Sequence, residues 1–110
     1  MEKKDYNPPT AFSPSPEGER APIQIKARDE DLKGVYSNLM IVTHTKEEFC
    51  LDFINTFNPP TLVSRVLMSP AHIKRMIRAL EENMKNYEER FGAVEAAKEP
   101  EAPLGFQPPQ

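Results

Sequence analysis

Four side chains near the middle of the sequence have the chemistry of active or metal sites: His44, Cys50, Asp52 and His72. On paper they could furnish a metal site. But His44 ends a predicted strand, His72 falls in the first turn of a predicted helix, and no pair among them has the ligand spacing of a known centre. Cys50 with a histidine could also suggest a nucleophile and its base. No oxyanion feature or third orienting group accompanies it, so the thiol reads as a small buried hydrophobe. Asp52 shares a strand face with Cys50 and reads as the acidic half of a structural salt bridge, with Arg65 or with a base on a partner. His72 near a helix N-terminus feels the positive end of the dipole, which disfavours the imidazolium, and reads as a packing or capping residue. The expectation is a non-catalytic protein without cofactor or metal.

One electrostatic feature could grip an anion. Arg65, Lys74, Arg75 and Arg78 gather where a strand gives way to a helix, and Lys74 and Arg78 share one side of that helix. The arrangement would suit a phosphate or a nucleic-acid backbone. Against it, Glu81 and Glu82 follow at once, and the chain carries 17 acidic side chains against 14 basic ones, a net −3. A solvated helix face is the favoured reading, and a nucleic-acid surface the alternative.

The elements that must position these residues lie in the middle of the chain. Of 12 prolines, five fall in residues 1–22 and four in 100–110. Each proline biases its predecessor away from helix, so residues 1–22 and 93–110 read as disordered proline-rich tails, the second one acidic. Tyr6 and Phe12 in the first tail could dock on the domain or a partner. Leu104-Gly105-Phe106 in the second is a small apolar cluster in an acidic context, of the kind that can serve as a short binding motif. Residues 23–92 have no net charge, and only there can a core form.

Within that span Ile23-Gln24-Ile25-Lys26 alternates like a weak edge strand. A charged turn over 28–33 follows, closed by Gly34. Strands are predicted over 35–43, 49–57 and 62–68, the second stopped by Asn58-Pro59-Pro60. Their alternation puts Leu39 and Ile41 on one face and Tyr36, Met40 and Val42 on the other. Thr45 is placed to cap a local amide in the polar turn between the first two. The short connections imply an antiparallel meander. Ser69-Pro70 then supplies an N-cap followed by proline at the first helical position. Ile73, Met76, Ile77, Leu80, Met84, Tyr87 and Phe91 recur at helical spacing, and Gly92 sits where the helix should end, predicting a helix over 70–91 of about 33 Å.

The fold expected is α+β: a meander of three to four strands packed by one long C-terminal helix. One helix can cover only one face of a small sheet. The other would expose Tyr36, Met40 and Val42 as an apolar patch, which single chains avoid. A core of about 70 residues is also marginal in burial. A twofold homodimer that covers the second face or exchanges helices resolves both; the N-terminal tail folding back over that face is the other solution. The single cysteine cannot form an intramolecular disulfide. No apolar run approaches the roughly 20 residues that span a bilayer, and the start lacks the apolar segment of a secretory signal, so a cytoplasmic location is expected.

Several words of the middle segment are distinctive. Tyr36-Ser37-Asn38-Leu39-Met40, His44-Thr45, Glu48-Phe49 and Leu51-Asp52-Phe53 are followed by Leu62-Val63-Ser64-Arg65-Val66-Leu67-Met68-Ser69-Pro70-Ala71-His72. Ala79-Leu80-Glu81-Glu82-Asn83 and Tyr87-Glu88 complete the set. In this order they resemble a family of small prokaryotic proteins, bacterial and archaeal, classed as a domain of unknown function. The resemblance covers about residues 23–92, and its pattern has an aliphatic residue where Cys50 stands. It implies no established activity, cofactor or catalytic residue. Capping explains Ser69 and packing explains the apolar positions, which leaves Ser37, Asn38, His44, Arg65 and His72 as polar residues in want of a role. With Lys74, Arg75 and Arg78 they form the candidate binding surface of a scaffold or protein-binding protein, whose tails would extend its reach or recruit partners.

Overall fold

The computed structural model describes residues 20–57 and 59–109. The expectations for Tyr6, Phe12 and an N-terminal cover fall on residues 1–19 and lie outside the described residues. The chain divides into two units, Met1–Val35 and Tyr36–Gln110. The first contains α1, Asp29–Lys33, a single helical turn. Arg28 drives it, donating from Nε and Nη2 to the Asp31 carboxylate at 2.9 and 3.1 Å. Gly34, at φ 78°, ends it in a conformation that disfavours a Cβ. The charged turn over 28–33 is therefore helical. Residues 23–26 form no strand, contrary to expectation, and Ile25 is 84% exposed. An alternating tetrapeptide has no ladder of its own, and none is supplied here.

The second unit carries β1 (Leu39–His44), β2 (Phe49–Asn55), β3 (Thr61–Met68) and α2 (Pro70–Phe91). The three strands make an antiparallel sheet in the order β1-β2-β3. The turn between β1 and β2 is held by Thr45, whose hydroxyl accepts from the Glu47 and Glu48 amides at 3.2 and 3.3 Å. β1 begins at Leu39, four residues later than alternation suggests, and just before it Ser37 and Asn38 bond by their side chains to the far end of β2. Opposite Phe53 and Ile54 the β2–β3 register shifts, leaving Val63 as the extra residue of a bulge.

The register sorts the side chains. Leu39, Ile41, Cys50, Asp52, Ile54, Leu62 and Arg65 share a first face; Met40, Val42, Phe49, Leu51, Phe53 and Val66 share the second. Burial concentrates on the central strand, with Leu51 at 2% and Ile54 at 8% exposure, one on each face.

α2 starts as its sequence dictates. The Ser69 hydroxyl accepts from the His72 amide at 3.1 Å, Pro70 opens the first turn, and the Gly92 amide closes the last on the Glu88 carbonyl. Its apolar stripe does not lie along the sheet of its own chain. Ile73 is buried at 7%, while Leu80 is 60% and Phe91 65% exposed. The expected packing of a long helix on the meander is thus absent within the single chain. Three strands about 4.8 Å apart offer a width of roughly two to three helical turns, and a 22-residue helix of about 33 Å outruns it.

Candidate functional site

Two groups emerge from the candidate residues. Ser37 and Asn38 lie just ahead of β1 and Arg65 lies on β3; His72, Lys74, Arg75 and Arg78 lie on the exposed first turns of α2. His44 belongs to neither. It ends β1, exposed, and stacks on its cross-strand neighbour Phe49 with ring centroids 5.1 Å apart.

Ser37 and Asn38 act as a clasp. The Ser37 hydroxyl lies 3.0 Å from the Leu39 carbonyl and 3.1 Å from that of Ile54. The Asn38 side chain donates to the Thr56 hydroxyl at 2.9 Å and accepts from the Thr56 amide at 3.0 Å. Both residues thereby fasten the entry of β1 to the exit of β2. Tyr36 and Phe57, just beyond, stack with centroids 6.0 Å apart and extend the clasp by one layer. Thr56 and Phe57 were not singled out by sequence reasoning. The turn at Thr45 narrows which residues can face one another, but the clasp itself appears only with the register of the hairpin.

Arg65 is the best-organised side chain of the sheet. It faces Asp52 across the β2–β3 ladder and donates from Nε to Oδ1 at 2.6 Å and from Nη2 to Oδ2 at 3.0 Å. Asp52 is only 3% exposed, so the bidentate pair compensates a carboxylate removed from water. The Arg65 hydrogen bond holds the Asp52 carboxyl below the usual carboxylate range against the opposing effect of burial, and the Cys50 thiol, 3.6 Å from Oδ1, acts in the same direction. Arg65 in turn is raised above its ordinary value, chiefly by the Asp52 hydrogen bond. Cys50 and Asp52 are thus a contact pair, with the structural salt bridge as expected. Among the described residues no group of three or more His, Cys, Asp or Glu side chains is arranged to hold a metal ion.

On the helix, Arg75 Nη2 lies 3.1 Å from His72 Nδ1, one turn apart. The His72 amide serves the cap. No hydrogen bond links this group to Arg65, whose charge is directed at Asp52.

A third feature joins these. Residues 93–109 carry no helix or strand, yet Leu104, Gly105, Phe106 and Gln107 form one wall of a cleft of about 360 Å³. Leu39, Ile41, Ile54 and Leu62 of the first sheet face form the other, beside the turn of Pro59 and Pro60. The Arg65 guanidinium lies 5.8 Å from the centroid of the Phe106 ring.

These elements define a small α+β chain, a three-stranded antiparallel sheet followed by one long helix. No helix among the described residues is long and apolar enough to cross a membrane. The chain belongs to the family described as Protein of unknown function (DUF3467), whose model matches residues 1–96. The match takes in the N-terminal stretch as well as the segment that carries the distinctive words. No curated protein and no solved structure matches the chain significantly.

Proposed function

We propose that this protein is a non-catalytic binding or scaffold protein that works in the cytoplasm as a homodimer. The observation that carries the reading is the uncovered apolar surface. From Ile77 to Phe91 the stripe of α2 stands in water, with Leu80 60% exposed, and on the sheet Met40 and Val42 are 43% and 47% exposed. Neither surface is covered among the described residues, and both have the character of surfaces that associate. A second copy supplies what is missing: exchange of helices sets each α2 stripe against the other chain's Met40 and Val42 face, giving the helix-on-sheet layer that the composition anticipates.

The test is affinity capture with tagged full-length protein, with and without nuclease, alongside sedimentation equilibrium. A mass of two chains and a defined protein partner that survives nuclease support the proposal. A single-chain mass at all concentrations would sink the dimer and leave the N-terminal segment as the cover.

A nucleic-acid role for the helix start has one observation in its favour, the exposure of Lys74, Arg75 and Arg78 within two turns. Compensation of Arg65 by Asp52 weakens it. Capture of nuclease-sensitive material only, with steeply salt-dependent binding lost in K74Q/R75Q/R78Q, would put that reading first.

A further inference from the structure

We infer that the first face of the sheet is a groove for an extended, proline-flanked segment bearing an aliphatic and an aromatic side chain two residues apart, and that residues 104–106 of this chain occupy it in cis as a displaceable strap. Leu104 and Phe106 line the same cleft together with Gly105 and Gln107, and side chains two residues apart share one side of an extended chain. Pro100 and Pro103 on one side and Pro108 and Pro109 on the other keep the segment extended. Its partners on the sheet are the aliphatic side chains of Leu39, Ile41, Ile54 and Leu62.

Arg65 gives the groove its specificity for an aromatic. Held through Nε and Nη2 by the buried Asp52 carboxylate, it places its guanidinium carbon 5.8 Å from the centroid of the Phe106 ring, a cation–π distance. An arginine left free would have to be ordered on binding; this one is ordered beforehand. The seating of the strap is shallow, with Leu104 48% and Phe106 52% exposed. Half-exposed anchors in a segment without secondary structure mark an occupant that a better-fitting one can replace. The ligand class is therefore a segment of another polypeptide with the chemistry of the strap, and its entry releases the acidic C-terminal stretch.

This inference rests on the binding role proposed above. Its readout is confined to the groove, so its failure leaves the dimer and the capture experiment standing. The experiment follows the methyl signals of Leu39, Ile41, Ile54 and Leu62 by NMR in the full chain and in the full-length L104S/F106S variant. A synthetic peptide spanning residues 99–109 is titrated into each. Expected are methyl shifts on going from wild type to L104S/F106S, their reversal on peptide addition, and binding to wild type weaker by about tenfold, because the tethered strap competes. Adding R65M to L104S/F106S should weaken the peptide by about fivefold. Unchanged methyl signals in L104S/F106S, equal titration of both chains, or peptide binding by neither would overturn the inference. Backbone spectra of R65M establish that the sheet is intact, and F106L in the wild-type chain isolates the aromatic contribution without emptying the groove.

Discussion

At the scale of single residues, Asp52 and Arg65 show how a polar pair can define a surface without being a catalytic site. The carboxylate is buried, its two oxygens are matched to a guanidinium fork, and its proton affinity is lowered by that fork. The consequence for stability has a definite sign. A carboxyl whose folded pKa lies below its unfolded value stabilises the fold at all pH values above the unfolded one, about 3.9. That contribution is lost as pH falls through the lower, folded value. Urea midpoints of wild type and Asp52→Asn should therefore differ by a constant gap from pH 7 to about pH 5 and converge below about pH 4. A gap that persists undiminished at pH 3 would mean that Asp52 stabilises by shape rather than charge. The pairing itself was legible in the sequence, because an acid and a base stood on predicted neighbouring strands. The roles of Ser37 and Asn38 were not. Their hydrogen bonds run to Ile54 and Thr56, 17 and 18 residues away, and become visible only once the register is fixed.

Among the elements, the hairpin and α2 were legible for the same reason, that each is set by local chemistry. Thr45 closes the turn, the β1–β2 ladder then runs from His44 opposite Phe49 to Leu39 opposite Ile54, and Asn38 meets Thr56 just beyond it. Ser69 and Pro70 begin the helix and Gly92 ends it. Because the Ser69 hydroxyl satisfies one of the free amides of the first turn, Ser69→Ala should lower stability by about 1 kcal/mol, and Ser69→Asp should retain it. Equilibrium unfolding in urea measures both, and a loss in Ser69→Asp equal to that in Ser69→Ala would show that the cap is incidental. The element that misled was the tetrapeptide at 23–26. Alternation tells which residues suit a strand, but a strand exists only where a neighbour offers a ladder, and that is a property of the chain's path. The short helix at Asp29–Lys33 has the opposite lesson: its ion pair and its glycine were both in view, and only the grouping of Arg28 with Asp31 was missing.

For the molecule as a whole, the apolar stripe of α2 fixes which side chains must be buried but not against what, which is why the sequence suggested a helix on its own sheet. The buried apolar side chains of the described residues are Leu51, Ile54 and Ile73; Met76 is half-buried, and the stripe from Ile77 onward is open. Ordering a residue costs about 1–2 kcal/mol of backbone entropy, and full burial of a large apolar side chain returns roughly 1.5–3 kcal/mol. So few buried side chains leave a sheet and a 22-residue helix only marginally stable on their own. In the proposed dimer, association would add to the stability of each fold, and the two contributions can be separated by where a substitution falls. Leu80 lies mid-stripe, 60% exposed in the single chain and away from the capped first turn, so a charge there costs little in a monomer. In a dimer it places an unpaired carboxylate inside the interface. Leu80→Glu should therefore raise the dissociation constant at least about 100-fold and make the unfolding midpoint concentration-independent. Leu80→Met, which preserves the apolar surface, should leave both near the wild-type values. If sedimentation finds one mass for wild type and Leu80→Glu alike, the stripe is not where two copies of this chain meet.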